Sequence, residues 1–417
     1  MPRNAELLLP KMVTVLREGY SFALLRADAV AAVTVAIVAL PLSMAIAIAS
    51  GVGPERGLYA AIIGGFLISL LGGSRFQIGG PAGAFIVLVA TTVARHGIDG
   101  LLLVTAMSGA VMMLAGVLRI GSYVRLIPHA VVVGFTAAIA VVIFASQLHD
   151  LFGLHLAGSE PPAFMPKLRA LWQAVGSFNL SAAAIALVTV AGIVALRRYA
   201  PRAPSLLIVV TGAAVLVVLL GVPIETIGSR FGNIPHTLPA PSLPDVSWQR
   251  LLTLLPLAMT FALLGAIESL LSAVVADGMT GRQHRSNSEL IAQGVANIAT
   301  ACFGGLCVTG TIARTATNVR AGARTPVAGM LHAVMLLLFM MVAAPLVAYV
   351  PLAALAGVLV TVAWNMIDRP AIAAMSRNAR ADLLVLLVTL LLTLLHDLML
   401  GIAAGTLLAY AMRLLRR

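Results

Sequence analysis

Two charged residues occupy places where charge is costly. Arg314 and Glu268 each lie within stretches that are otherwise almost wholly apolar. A charge at mid-membrane costs at least about 2.5–3.5 kcal/mol, so such a residue faces a polar cavity or a partner. Arg314 follows Thr309-Gly310-Thr311, a sequence able to start a helix with free N–H groups. Far upstream, Gly79-Gly80-Pro81-Ala82-Gly83-Ala84-Phe85 breaks a second apolar region in the same manner, with Pro81 at a position favoured in a first helical turn. Helix N-termini attract anions through unpaired donors and the helix dipole. Two such termini converging beside one arginine make an anion site. The competing account is that both breaks are kinks and that Arg314 reaches to the interface.

Glu268 sits in Leu263-Leu264-Gly265-Ala266-Ile267-Glu268-Ser269-Leu270-Leu271-Ser272 and is the deepest in a span of the 15 acidic residues. Ser272 is one turn further along the same helical face. A carboxylate held away from water can take up and release a proton, which makes Glu268 and Ser272 candidates for a coupling ion. The alternative is a structural hydrogen bond or an ion pair with Arg314.

These residues need a membrane-spanning frame, and composition supplies one. Apolar residues make up 60% of the chain and charged residues 10%, against roughly half and a quarter in soluble domains. The net charge of +12 is spread singly and in pairs without an aromatic-laced basic stripe, which excludes a nucleic-acid partner. Cys302 and Cys307 are too few for a disulfide framework or a thiolate metal site. No P-loop, zinc motif or nucleophile elbow occurs, so neither an enzyme nor a resident metal or cofactor is expected. His149, His332 and His396 read as structural or interfacial. Ser43, Thr136, Ser146, Gln147, Asn297 and Asn365 read as hydrogen bonds between helices. Glycines and alanines of spans 2, 4, 5 and 14 read as close helix packing.

Hydropathy places a lead-in segment at 1–28, without signal-peptide features, and seven elements over 29–222. Spans 1 and 2 cover 29–50 and 56–72, and a short third element covers 81–94. Spans 4 to 7 cover 100–118, 129–148, 178–196 and 204–222, with an interfacial loop with short helices over 153–177. The proline-rich stretch 223–250 forms an extracytoplasmic connection. Over 251–417 follow spans 8 and 9 at 251–276 and 288–304, and a short tenth element at 311–321. Spans 11 to 14 cover 326–348, 351–367, 381–395 and 398–413. The expected fold class is an all-α polytopic membrane protein of 14 segments, with two broken elements at mid-membrane. Seven is odd, so the two sets insert with opposite orientation as an inverted repeat. With the N-terminus in the cytoplasm, twenty of the 27 basic residues fall on the cytoplasmic side, six outside, and Arg314 on neither. Both termini are then cytoplasmic.

The chain also resembles the SulP family of anion transporters, relatives of prestin and pendrin. The similar segments are Val38-Ala39-Leu40-Pro41-Leu42-Ser43-Met44-Ala45, Gly72-Gly73-Ser74-Arg75-Phe76 leading into Gly79-Gly80-Pro81, and Ala266-Ile267-Glu268-Ser269-Leu270-Leu271. Asn287-Ser288-Glu289-Leu290 and Thr311-Ile312-Ala313-Arg314-Thr315-Ala316 with Asn318 complete them. The pattern is similar to the bacterial branch that includes C4-dicarboxylate transporters. The resemblance implies a 7+7 inverted repeat of the uracil-permease type. A core domain (spans 1–4 and 8–11) would move against a gate domain (spans 5–7 and 12–14), commonly in a homodimer. It implies substrate contacts at Gly80, Pro81, Ala82, Gly83, Thr311, Ile312, Ala313 and Arg314, with Leu42 and Ile46 from span 1. Many animal members have glutamine where this chain has Leu42. Sodium-coupled bicarbonate members have aspartate at the place of Glu268, which favours protons here. Most members continue into a STAS domain; this chain stops at Arg417, so that regulation is absent or trimmed away.

The expected function is secondary active transport of a small anion in a bacterial inner membrane. Its leading form is proton-coupled uptake of a dicarboxylate or sulfate by elevator-like alternating access. Sodium-coupled bicarbonate transport, anion exchange and a passive anion channel are the alternatives. A nucleobase permease would want a second carboxylate where Arg314 stands.

Overall fold

The computed structural model describes residues 8–121, 128–158, 161, 163–201, 203–378, 380–396 and 398–415. Of the basic residues weighed for orientation, Arg3, Arg125, Arg202, Arg416 and Arg417 lie outside the described residues, as does Pro162 of the interfacial loop.

An amphipathic helix, α1 (Lys11–Glu18), precedes α2 (Phe22–Ala49), whose start is capped by Ser21 Oγ accepting the Leu24 N–H at 3.3 Å. Proline 41 lies inside α2, where it removes a backbone donor. Span 2 is built from α3 (Pro54–Tyr59), a π-helical turn (Ala60–Gly64) and α4 (Gly65–Leu71). The first break forms β1 (Gly79–Gly80) and a 3₁₀ turn (Gly83–Phe85). The short third element and span 4 then run on as α5 (Ile86–Val117), bent at Gly97 with φ +67°. Next come α6 (His129–Phe152), α7 (Phe164–Gln173), α8 (Leu180–Tyr199), α9 (Ser205–Leu220) and α10 (Ile227–Phe231).

The second set repeats the plan. It comprises α11 (Trp248–Thr280), α12 (Ser286–Cys302), β2 (Thr309–Gly310), α13 (Ile312–Arg320) and α14 (Val327–Val347). It ends with α15 (Leu352–Met366), α16 (Arg369–Asn378), α17 (Arg380–Leu395) and α18 (Leu398–Leu415). Among the described residues, eight helical segments are long and apolar enough to cross a membrane. The helix α16 was not anticipated from hydropathy, because its arginines and polar residues break the apolar run. The Arg369 guanidinium stacks 4.3 Å from the Trp364 ring centroid.

The chain folds into two compact units, Met1–Val124 with Ala195–Pro351, and Arg125–Val194 with Leu352–Arg417. In the first, α5 lies along α12 and α2 along α14. The α5–α12 seam is made of glycines. A Cβ on Gly294 would stand 2.5 Å from the Gly109 carbonyl oxygen, and one on Gly109 would stand 2.6 Å from that of Gly294. Small residues let the helix backbones approach where lipid offers no hydrophobic drive for association. In the second unit, α6 packs against α15 and α17, and Gly134 makes a similar approach to the Leu386 carbonyl.

Two fully buried carboxylates tie loop backbone to helices in the first unit. Asp28 accepts from Arg324 N (2.8 Å), Thr325 N (3.1 Å), Thr325 Oγ1 (2.6 Å) and Tyr20 Oη (3.1 Å). Glu289 accepts from Gly73 N (2.8 Å), Ser74 N (3.1 Å) and Gln293 Nε2 (3.0 Å). Each carboxylate thus supplies the acceptors that buried loop N–H groups need.

The glycine seam yields a stability prediction. Gly294→Ala pushes a methyl group into backbone and should lower stability by about 1–3 kcal/mol, read as a reduced thermal midpoint in detergent. Gly212→Ala, with nothing within 4 Å of the new methyl, should leave that midpoint unchanged or raise it. Equal midpoints for the two variants would show that the seam is not tight.

Candidate anion site

The two breaks meet. Gly79 pairs with Gly310 and Gly80 with Thr309 in a two-residue antiparallel ladder. Beyond it, Thr311 N donates to the Ile78 carbonyl at 3.0 Å, and Thr311 Oγ1 reaches the same oxygen at 3.3 Å. Extended backbone in a membrane span survives only when its polar groups find partners in protein or in a wet cavity. Here each break supplies partners for the other.

Side chains of α11 complete the set. Thr309 Oγ1 donates to the Gly265 carbonyl at 3.1 Å and lies 2.6 Å from Ser269 Oγ, which also accepts the Gly310 N–H at 3.0 Å. One turn on, Ser272 Oγ donates to Thr315 Oγ1 at 3.0 Å, and Thr315 Oγ1 accepts from Ile78 N at 3.1 Å. Asn318 Nδ2 donates to the Phe76 carbonyl at 2.9 Å. On α12, Asn297 clamps the strand leading into β2, accepting from Val308 N at 2.9 Å and donating to its carbonyl at 2.8 Å.

Arg314 enters this frame from the first turn of α13 and is 1% exposed. Its Nη2 donates to Ser43 Oγ on α2 (3.1 Å) and to the Pro81 carbonyl (3.3 Å). Its Nε and Nη1 have no hydrogen-bond partner among the described residues. Gly80 makes room for the guanidinium, since a Cβ there would stand 2.2 Å from Nη1. Glu268 is half-buried, and its Oε2 is enclosed and also without a partner among the described residues. Glu268 and Arg314 interact electrostatically, yet they form no direct ion pair. An orphaned buried guanidinium donor is expensive, and a guanidinium fork matches planar or tetrahedral oxyanions.

The expected residues separate into groups. Gly80, Pro81 and Arg314 come together, and Thr311 holds the crossing from behind. Ala82 is the residue before the 3₁₀ turn, while Gly83 begins it. Pro81 therefore stands one residue before the N-cap rather than in a first turn, and its carbonyl serves as an acceptor for Arg314. Ile312 and Ala313 are exposed at the start of α13, which no side chain caps. Leu42 and Ile46 are buried on α2, but the α2 residue that touches the guanidinium is Ser43. Ser272 is engaged by Thr315 rather than directed at Glu268. Ser43, expected only as a bond between helices, is a site residue. Ser269, Thr309 and Thr315 were not singled out; hydroxyls repeated at helical spacing beside a break are the signal that marks them. His332 is fully buried, both ring nitrogens lack a partner among the described residues, and it interacts electrostatically with Arg314.

Comparison with known proteins identifies the family and the fold. Residues 25–389 match the model of the sulfate permease family. YvdB of Bacillus subtilis is 42% identical over 94% of this chain and 74% of its own length. The transmembrane domain of a cyanobacterial bicarbonate transporter, BicA, superposes with a TM-score of 0.84 at 32% identity, covering 92% of this chain and 98% of that domain. The murine anion transporter Slc26a9 shares the fold at a TM-score of 0.87, 18% identity, all of this chain and 72% of that one. A 7+7 inverted repeat is consistent with that common transmembrane fold. The crossed breaks and their buried arginine thus stand in a multi-pass membrane protein, and the chain belongs to the sulfate permease family of anion transporters rather than to any enzyme family.

Proposed function

We propose that the chain is a secondary active transporter that takes up a dicarboxylate or sulfate together with a proton. The reading rests on one observation: a buried guanidinium with two nitrogens unpartnered among the described residues, beside a half-buried carboxylate that it does not bind. An oxyanion docked on Arg314 takes up donors that lack partners, with the uncapped start of α13 adding dipole attraction. Its negative charge repels an ionised Glu268, so a docked anion and a proton on Glu268 each favour the other. That mutual preference is a coupling free energy, and it is reciprocal.

All of these groups lie in one unit of the fold, Met1–Val124 with Ala195–Pro351. Movement of that unit as a body would carry anion and proton together, which is the elevator form of alternating access. Both termini face the cytoplasm in this reading, the membrane is a bacterial plasma membrane, and the assembly is a homodimer. Sodium-coupled bicarbonate transport is the second reading, and the likeness to BicA favours its choice of anion.

Uptake of radiolabelled sulfate, succinate and bicarbonate into proteoliposomes, at two pH values with and without sodium, tests both. The proposal expects one of the first two anions to accumulate with an inward proton gradient. Accumulation that follows sodium and ignores pH would replace it with the second reading. Arg314→Ala should abolish binding and uptake, and Gly80→Ala should cut uptake at least about tenfold by displacing the guanidinium, a cost of about 1.4 kcal/mol or more. Unimpaired uptake in either variant would move the site elsewhere. Glu268→Gln should leave anion binding measurable by calorimetry while uptake loses its dependence on the pH gradient. Retained dependence would remove Glu268 from the coupling role.

A further inference from the structure

A second cationic feature lies apart from Arg314, at the end of the fold where α1 docks. A cavity of about 740 Å³ is lined by Glu18, Arg75, Arg282, Arg324, Thr280 and Thr325, among others. It lies between α1, the C-terminal ends of α11 and α13, and the loop that enters the first break. Three guanidiniums face one carboxylate there. Glu18 is engaged by Arg75 at 2.5 Å. Arg282 acts on Glu18 through the field, and among the described residues neither Arg282 nor Arg324 forms an ion pair through its side chain. Nearby, Lys11 is held below the ordinary lysine range by burial and by the Arg285 and Arg75 cations. The cavity lining itself thus carries three guanidiniums against one carboxylate, with Asp28 behind Thr325 and Asp277 acting on Lys11.

The cavity adjoins an apolar groove of about 560 Å³, with Gly322 common to both. That groove is lined by Phe22, Ala23, Ala27 and Val30 of α2, with Arg26 beside them. Phe22 is 81% exposed and Val30 58%. Phe22 and Val30 thus leave an apolar surface fit to receive an acyl chain. A basic pocket opening onto such a face has the shape of an amphiphile, with an anionic head and a hydrocarbon tail.

We propose that this paired cavity and groove binds an anionic phospholipid, its phosphate between Arg282, Arg324 and Arg75 and an acyl chain along Phe22, Ala27 and Val30. The site differs from the transport site in its residues and in its ligand. Because α1 and the ends of α11 and α13 wall the cavity, a bound lipid fastens the N-terminal helix to the elements that carry Glu268 and Arg314.

Thermal unfolding of the purified protein in detergent, titrated with dioctanoyl phosphatidylglycerol, tests the site independently of any transport assay. The expected result is a saturable rise in the midpoint that dioctanoyl phosphatidylcholine and inorganic phosphate do not reproduce. Arg282→Gln and Arg324→Gln, both at exposed positions, should each weaken the apparent affinity about fivefold, and together about 25-fold. Val30→Ser should weaken it as well, through the tail. An equal rise with phosphatidylcholine would show a nonspecific detergent effect and overturn the proposal. A rise with phosphate alone would overturn the lipid in favour of a free anion. Unchanged affinity in the double arginine variant would overturn the site.

Discussion

Two stretches of extended backbone inside a membrane exchange their hydrogen bonds with each other, and the functional architecture depends on that exchange. A helix interrupted in hydrocarbon exposes N–H and C=O groups at several kcal/mol each. Either interruption alone would need water or a partner. The ladder of Gly79–Gly80 with Thr309–Gly310 lets each meet the other's demand. Hydroxyls from α11 and the Asn297 amide take most of the remainder. The crossing is therefore rigid where a broken helix would otherwise be soft. The crossing holds a guanidinium with two nitrogens unpartnered among the described residues.

Charge placement follows the same logic. Arg314 and Glu268 would form a strong pair if they touched, and a tight pair would leave nothing for a substrate. Holding them apart while within each other's field keeps both available, at a cost that the surrounding fold must carry. Asp28 and Glu289 show the contrasting use of a buried acid. Each is surrounded by donors and fixes loop backbone, one behind α13 and one ahead of β1. Satisfied carboxylates thus frame the crossing, and the unsatisfied one stands beside it.

Much of this was legible in the sequence. Hydropathy located most spans to within a few residues, because a membrane imposes a length on every apolar run, although α2 starts at Phe22 inside the expected lead-in and the third and fourth elements share one helix. The breaks were visible because Gly-Gly-Pro and Thr-Gly-Thr interrupt those runs. Arg314 was visible because no loop could claim it. The ladder between the breaks was hidden, since antiparallel pairing of two-residue segments leaves no periodic trace. Ser43 was hidden for another reason: a serine in a span most often bonds its own helix, and Ser43 does so with Ala39 while also accepting from Arg314. Asp28 and Glu289 sit near helix starts, where an acid reads as solvated until tertiary contacts bury it. The π-turn at Ala60–Gly64 has no signature that separates it from ordinary helix.

The glycine seam between α5 and α12 reaches beyond packing. The first break feeds α5, and α12 leads toward the second, so the seam couples the two halves of the crossing through their scaffolds as well as through the ladder. With backbone against backbone at Gly109 and Gly294, neither helix can slide along the other without a steric collision. The depth of one break in the bilayer is thereby indexed to the depth of the other, and the pair behaves mechanically as a single part.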